Sequence, residues 1–409
     1  MFELYNMNKR FDVVICGGGL VGLTLGVALG QYGVETAIID SIPLDNYLSK
    51  EFDGRASSIA LGSKNLLDTI GVWSNIKSQA QPILQIRVSD GNSPFFLHYD
   101  HLDVGDDPLG WMVENRSLRQ SLLQKIKEYP NIKQYVPISV KSVDFRNNFV
   151  IFNLSNGDKI ESSLAVAADG RNSFMRQQAA IKVTEIPYKQ TGIVCTVKHE
   201  YSHQGIAHER FLPSGPFAIL PLANNCSSIV WTEKNSIAPK ILNLKPQDFM
   251  NELRERFGNF LGRIDLVGSR WSYPLSLCHA NNYVSRRLAL IGDAAHSIHP
   301  IAGQGFNLGI RDCAILAEFI VENCRLGLDL GNDELLKKYQ SYRRFDSVMM
   351  IAVTHGLNHL FSNHSGALQV VRGMGLSAVN QAPPIKRFFM RHAMGLVGDL
   401  PRLVRGEQI

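Results

Sequence analysis

Six cysteines are scattered through this chain, at positions 16, 195, 226, 278, 313 and 324. None forms a CxxC pair or a spacing that suits a metal. That pattern speaks against a disulfide framework and for free thiols in a reducing, cytoplasmic compartment. Long apolar runs are missing too, since none reaches the ~18 residues a membrane span needs. The apolar stretch near the N-terminus is broken by glycines and opens a strand–turn–helix unit, so it is not read as a secretory leader. His296/His299 and His355/His359 stand in pairs without further ligands, and neither HxH nor HExxH occurs. No metal site is expected. A net charge of +5 is too mild to argue for nucleic acid. Internal repeats and low-complexity segments are absent. What is left is an ordinary globular composition, 45% hydrophobic and 19% charged over 409 residues, with material for two cores.

Two glycine-rich stretches stand out. The first is Phe11-Asp-Val-Val-Ile-Cys-Gly17-Gly-Gly19-Leu-Val-Gly22. Its β-branched run favours a strand buried on both faces. Gly17 permits a tight turn, Gly19 lets backbone approach a pyrophosphate, and Gly22 lets the next helix pack on the strand. That helix directs its N-terminal N–H groups and positive dipole end at the phosphates. A second strand, Thr36–Ile39, ends at Asp40, 18 residues past Gly22, a spacing that suits a ribose hydroxyl. The motif by itself does not separate NAD from FAD.

The second stretch, Leu288-Ala-Leu-Ile-Gly292-Asp293 to His299-Pro300-Ile-Ala-Gly303-Gln304-Gly305-Phe-Asn307, is again strand, glycine turn and helix. Gly292 clears space, and Asp293 can accept hydrogen bonds from sugar-type hydroxyls. A second helix N-terminus here stabilises negative charge that develops at the pyrimidine end of an isoalloxazine on reduction. NAD has no use for this second site, whereas the long, two-ended FAD has. Arg55, in the Asp53-Gly-Arg55 loop, is either a phosphate-end cation or a solvated surface residue. Arg116 lies in the first turn of a helix, where the dipole opposes a cation. It calls for an anionic partner, a cofactor phosphate being one candidate. His299 reads either as a structural hydrogen-bonding residue or as a catalyst.

The remaining chain suggests interleaved domains. Residues 1–10 read as polar and frayed. Ala56–Leu61 leads into a helix, Ser63–Ile70, closed by Gly71. Residues 82–100 alternate loosely, as sheet. From Gly110 the chain reads as the start of a helix capped by Asn115 or Ser117. Strands follow at Ile138–Val143, Phe149–Leu154 and Ser163–Ala168, then at Gly192–Val197, Ala207–Phe211, Phe217–Leu222 and Ser227–Thr232, interrupted by a helix at Pro246–Phe257. A helix from Asn332 runs towards Phe361. The expected class is α/β: a Rossmann-like FAD-binding domain (1–80, 101–182, 276–330), interleaved with a β-sheet substrate domain (81–100, 183–275), plus C-terminal helices (331–409).

With these residues in view, the chain resembles the FAD-dependent aromatic hydroxylases, and within them the ubiquinone-biosynthesis hydroxylases. The resemblance rests above all on His299-Pro-Ile-Ala-Gly-Gln-Gly-Phe-Asn-Leu-Gly-Ile-Arg-Asp312. Supporting matches include Asp53-x-Arg55, Val113-Glu-Asn-Arg116, Asp169-Gly170, Gly215-Pro-x-Ala-x-Leu-Pro-Leu222, Ile229-Val-Trp-Thr232 and Gly292-Asp293. It extends from residue 11 to Gly395. One departure is Asp40, where that family more often carries Glu.

The resemblance implies an aromatic-hydroxylase fold and a reaction sequence. NADPH or NADH reduces FAD, O2 forms a flavin hydroperoxide, and oxygen passes to the ring of a polyprenyl-phenol lipid. It implies that Asp169-Gly170 serves both FAD and the pyridine nucleotide. Pro300, Gly303 and Gln304 would stand beside the flavin ring, mostly through backbone. A lipid substrate implies peripheral contact with the inner face of the cytoplasmic membrane, for which Pro383–Val397 mixes Lys and Arg with Phe, Met and Leu. The same segment also suits an amphipathic helix packed on the core or on a partner. A ubiquinone-biosynthesis multiprotein complex and a homo-oligomer are compatible with this reading. Its rivals are a related flavoprotein acting on another aromatic or isoprenoid compound, a flavin reductase without hydroxylation, and a non-catalytic FAD-bound subunit of a biosynthetic complex.

Overall fold

A computed structural model describes residues 9–48, 55–91, 96–361, 372, 375 and 377–409. Asp53 and Phe95 lie outside these residues. Strands and helices are numbered along the chain.

The first sheet is built from buried, β-branched runs. Its parallel core orders β18 (Leu288–Leu290), β11 (Lys159–Ala167), β1 (Lys9–Cys16), β2 (Thr36–Ile39) and β8 (Ile132–Tyr135). Antiparallel strands extend it: β17 (Val284–Ser285) beside β18, and β10 (Val150–Leu154) with β9 (Val140–Phe145) beside β11. Lys9 and Arg10, expected to fray, pair with Ile160 and Glu161 as the start of β1. Helix α1 (Leu20–Gln31) is buried along most of its length because the sheet and other helices enclose it.

The second sheet orders β19 (His296–Ser297), β16 (Ile264–Ala280), β12 (Val183–His199), β15 (Cys226–Lys234), β14 (Gly215–Leu222), β13 (Ile206–Leu212), β5 (Gln85–Asp90) and β6 (Phe96–Asp100). All its pairs are antiparallel except β13 with β5. Strand β12 extends well beyond Gly192–Val197, the segment read from sequence, and β16 forms where no individual strand was read. Pro187 and Pro274 and the register shifts beside Gln190 and Thr196 mask their continuity. One face of this sheet carries Ile193, Phe217, Ile219, Ile229 and Trp231 and is sealed by helix α4 (Pro246–Phe257) through Phe249 and Leu253.

A small third sheet, β3 (Ala56–Ala60), β7 (Gly110–Glu114) and β4 (Gln81–Ile83), lies between them. Two expectations change here. Ala56–Ala60 is a strand, with helix α2 (Leu61–Thr69) directly behind it. Gly110–Glu114 is also a strand, so helix α3 starts at Asn115 and runs to Ile126. Neither proposed side chain caps α3. Asn115 Oδ1 accepts from Ser57 Oγ at 2.6 Å, and Ser117 Oγ donates to Gln79 Oε1 at 2.6 Å. Cross-element pairing has taken the groups that local chemistry assigned to the cap.

Helix α5 (Gly305–Arg325) is packed against α1, and α6 (Asp333–Phe361) crosses both large sheets. Helix α7 (Pro383–Ala393) has one buried residue, Met390, and exposes Ile385, Phe388 and Phe389. No helix among the described residues is long and apolar enough to cross a membrane.

Candidate cofactor site

The first glycine turn is dictated by sterics. Gly17 has φ +114°, and a Cβ there would lie 2.2 Å from the Ala168 carbonyl oxygen. A Cβ on Gly22 would lie 2.0 Å from the Gly17 carbonyl oxygen. Gly19 differs. Its φ of −68° is open to any residue, and nothing lies within 4 Å of its Cβ position. The glycine leaves free space in front of the N-terminus of α1, which has no side-chain cap and no acid in its first turn. Asp40, at the end of β2, accepts from the Gly18 N–H at 2.6 Å and from the Ile42 N–H at 2.8 Å, one bond per oxygen. Each oxygen keeps a lone pair for a hydroxyl. Arg119 Nη1 donates to the Gly18 carbonyl at 2.7 Å and completes the turn; nothing in its sequence context singles it out.

Parallel pairing brings the second stretch beside the first. β18 pairs with β11 and β11 with β1, so Asp169, Gly17 and Gly292 follow the C-terminal ends of neighbouring strands. Val21 on α1 then sits in a socket of glycines. A Cβ on Gly309 would lie 2.7 Å from its Cγ2, and one on Gly292, at φ +57°, 3.2 Å from its Cγ1. Cys313 Sγ donates to the Val21 carbonyl at 3.3 Å.

Around this junction the polar groups are unevenly satisfied. Asp169 Oδ2 accepts from the Met175 N–H at 3.0 Å, whereas its Oδ1 is buried without a partner among the described residues. Burial pushes its carboxyl up. Gly170 follows at φ +80° with open space at its Cβ position. Asp293 is exposed yet crowded by protein, the mark of a recessed surface. Desolvation raises its carboxyl, against the opposing pull of His296 and Arg171. Asn307 is fully buried and engaged. It accepts from the Ala60 N–H at 2.9 Å and donates to the Ser58 carbonyl at 3.0 Å, which ties α5 to β3. Gly305, at the start of α5, again has nothing within 4 Å of its Cβ position, and α5 has neither a side-chain cap nor an acid in its first turn.

The loop before α5 is tightly held. His299 is fully buried, both its ring nitrogens lack a hydrogen-bond partner among the described residues, and Tyr188 meets it edge-on with centroids 5.0 Å apart. Desolvation pulls its pKa down to about 4, so the imidazole is neutral at physiological pH. Gly303 turns at φ +60° against Ser58, and Gln304 Nε2 donates to the Ala393 carbonyl at 3.4 Å. Pro300 is half-buried between His299 and Ile301. Arg55 and Arg116 come together beyond the small sheet, where the Asn115 N–H donates to the Arg55 carbonyl at 3.0 Å.

Beneath the second turn lies a buried charge network whose partners are far apart in sequence. Asp312 Oδ2 accepts from the Gly292 N–H at 2.8 Å and contacts His296 Nε2 at 2.7 Å. Its Oδ1 accepts from Arg343 Nε at 2.7 Å, and Arg343 and Arg311 both reach Asp346, at 2.6 and 2.9 Å. Asp312 ends the stretch on which the resemblance rests, but Arg343 and Asp346, on α6, carry no local signal.

Open glycine cradles at 19, 170 and 305, two uncapped helix N-termini and an unpartnered carboxylate oxygen fit an elongated, anionic dinucleotide. Residues 10–350 match the family model described as FAD binding domain. The chain is 48% identical to the ubiquinone hydroxylase UbiL of Rhodospirillum rubrum, over 98% of this chain and 94% of that one. It is 32% identical to the 3-demethoxyubiquinol 3-hydroxylase of Escherichia coli, over 95% and 100%. The p-nitrophenol 4-monooxygenase PnpA of Pseudomonas putida shares the fold, with a TM-score of 0.80 at 19% identity, covering 95% of this chain and 99% of that one. The chain therefore belongs to the FAD-binding-domain proteins and, within them, to the ubiquinone-biosynthesis hydroxylase family. FAD is its cofactor.

Proposed function

We propose that the protein is an FAD-dependent monooxygenase that hydroxylates the aromatic ring of a polyprenyl-phenol intermediate of ubiquinone biosynthesis, consuming NADPH or NADH and O2. The observation that carries this reading is 48% identity to a ubiquinone hydroxylase across nearly the whole of both chains. The two glycine turns at one sheet end support it.

Bound FAD would supply the chemistry that activates O2. The protein's own residues bind, orient and exclude water. Gly17, Gly19 and Gly22 would let the pyrophosphate approach α1, and Asp40 would take a ribose hydroxyl. Arg55 and Arg116 would offset phosphate charge. Asp169, Gly170, Gly292 and Asp293 would hold the chain of the cofactor between its ends. Gly305 would open the N-terminus of α5 to the ring, and Asn307 fixes that helix against β3. Pro300, Gly303 and Gln304 would line the ring edge through backbone. The neutral His299 would keep that wall dry rather than carry charge. We assign residues 1–80, 101–182 and 276–330 to the FAD domain, 81–100 and 183–275 to the substrate domain and 331–409 to the C-terminal region.

A lipophilic quinol-type substrate follows from the family. We place the protein in the cytoplasm, in peripheral contact with the inner membrane face, as a homo-oligomer or a member of a biosynthetic complex. Mass spectrometry of lipid extracts from a strain lacking this gene tests the reaction. One under-hydroxylated polyprenyl phenol should accumulate. A normal quinone profile, with no redundant hydroxylase present, overturns the proposal.

A further inference from the structure

The face of the second sheet that α4 leaves uncovered is organised in rows. One row passes from Phe211 on β13 to Gly192 on β12, through the pairs Phe211–Pro216 and Gly192–Thr232. It is covered. Phe211 stacks on Phe361 of α6 with centroids 4.1 Å apart and packs against Ile301 of the loop before α5. Gln190, on the same face of β12, accepts from Asn358 Nδ2 of α6 at 3.2 Å. Another row, on the far side, holds Ala207 and is covered by Ile83 and Met112 of the small sheet.

Between the two runs a row that is packed at Val88 and Ala218 and, among the described residues, only partly covered from Val230 to Trp271. Its register is continuous: Val88–Glu209, Glu209–Ala218, Ala218–Val230, Val230–Val194 and Val194–Trp271. Val230 and Val194 are half-buried and Trp271 is 36% exposed, whereas Ile229 and Trp231, the chain neighbours of Val230 on the opposite face, are at most 1% exposed. The row is apolar except for Glu209. That carboxyl makes no hydrogen bond or ion pair with any described residue. It is partly accessible although protein crowds it, and desolvation alone pushes its pKa up to about 8, so it is protonated at neutral pH. Ala207 and Ala218, the neighbours of Glu209 on this face, carry only small side chains.

A carboxylic acid without a partner in an otherwise apolar row costs free energy unless something supplies its hydrogen bonds. We propose that Glu209 binds an oxygen substituent of the substrate ring and that the row from Ala218 to Trp271 receives the apolar tail. This rests on the reading of the protein as a polyprenyl-phenol hydroxylase and names the residues that select such a substrate. Phe211, next to Glu209 on the same face of β13, touches Ile301 in the loop beside the cofactor site. The Glu209 end of the row therefore lies towards that loop, and its Trp271 end is exposed.

The test uses the FAD-loaded protein and follows perturbation of the flavin absorbance by 2-octylphenol and by its methyl ether, 2-octylanisole. A site built to hydrogen-bond a hydroxyl rejects the analogue that lacks it. The wild type should bind the phenol at least tenfold more tightly. Glu209→Leu removes an unsatisfied buried acid, so it should fold and hold FAD normally. Its preference for the phenol should collapse towards onefold. Val230→Trp should instead keep the preference and abolish the gain in affinity on passing from 2-ethylphenol to 2-octylphenol. If Glu209→Leu keeps the full preference, the role of Glu209 is overturned while the functional reading stands. If Val230→Trp leaves the chain-length gain intact, the tail path is overturned. If the wild type binds none of these phenols, both the assignment and the functional reading fall.

Discussion

Asp312 Oδ2, fully buried, lies 2.7 Å from His296 Nε2 and also accepts from the Gly292 N–H at 2.8 Å. One carboxylate thus pins the second glycine turn to α5, while its other oxygen holds Arg343 of α6. Breaking a buried charge pair from one side strands the other charge and costs about 3–5 kcal/mol. Asp312→Ala should lower stability by that amount in urea unfolding and reduce the flavin content of the purified protein. A loss below about 1 kcal/mol would mean that water or Asp346 compensates fully and that the network does not organise the turn.

The glycines of the first turn separate fold from binding. Gly17→Ala forces a Cβ to 2.2 Å from a carbonyl oxygen at φ +114°, so it should damage the fold itself. Gly19→Ala meets nothing and keeps an ordinary backbone angle. It should change stability by no more than about 1 kcal/mol, yet weaken FAD on the order of tenfold or more, because the new methyl occupies the space in front of α1. Circular dichroism and flavin titration of the two variants distinguish the effects. A Gly19→Ala protein with wild-type FAD affinity would place the pyrophosphate elsewhere.

Asp293 tests the other end. Its side chain makes no hydrogen bond among the described residues and is exposed in a crowded recess. Asp293→Ala should leave unfolding midpoints nearly unchanged and weaken FAD markedly, on the order of tenfold for the loss of charge-assisted hydrogen bonds. A full complement of flavin in the purified variant would remove Asp293 from the site.

Both glycine stretches were legible because their requirements are local: a positive φ, a close approach, a strand before and a helix after. The parallel sheet followed from the buried runs around Val13–Cys16 and Leu164–Ala167. Strands β3 and β7 were not legible. Each is short and followed at once by a helix, and what makes them strands is their pairing across about 50 residues of chain, Ala56 with Glu114 through Ala60 with Gly110. The α3 cap failed for the same reason, since Ser57 and Gln79 claimed Asn115 and Ser117 from a distance. Arg119, Arg343 and Glu209 matter through partners or emptiness that only tertiary structure creates.

His299 gives a pH dependence. Its folded pKa is pulled from 6.5 to about 4 by desolvation. The unfolded chain therefore binds more protons between those values, and stability falls as pH drops through that window. At pH 5 this amounts to about 2 kcal/mol at most. His208 and His279 are also lowered to about 4 and act in the same direction, so removing one histidine flattens the slope only in part. His299→Phe should lose less stability than wild type between pH 7 and pH 5 in urea titrations. Equal losses would show that His299 is hydrated or bonded in solution.

The C-terminal region bears on how a lipid substrate arrives. Residues 347–398 contain no Asp or Glu at all. On α7, Phe388 is 56% and Phe389 42% exposed, Arg387 and Arg391 are exposed beside them, and Lys386 is held by Asp103 at 2.7 Å. An acid-free segment presenting aromatics among cations suits an anionic lipid surface. The same helix reaches the cofactor loop: the Ala393 carbonyl accepts from Gln304, and the His392 carbonyl from Arg311 Nη2 at 3.3 Å. Contact with lipid there would place the membrane next to the site. Phe388→Ser with Phe389→Ser should cut cosedimentation with vesicles rich in phosphatidylglycerol at least tenfold and leave flavin content unchanged. Wild-type binding should fall as salt rises, since exposed charges are screened. Undiminished binding by the double variant would shift the contact to another surface. If the wild type ignores the vesicles but loses self-association on the same substitutions, the face belongs to a partner subunit.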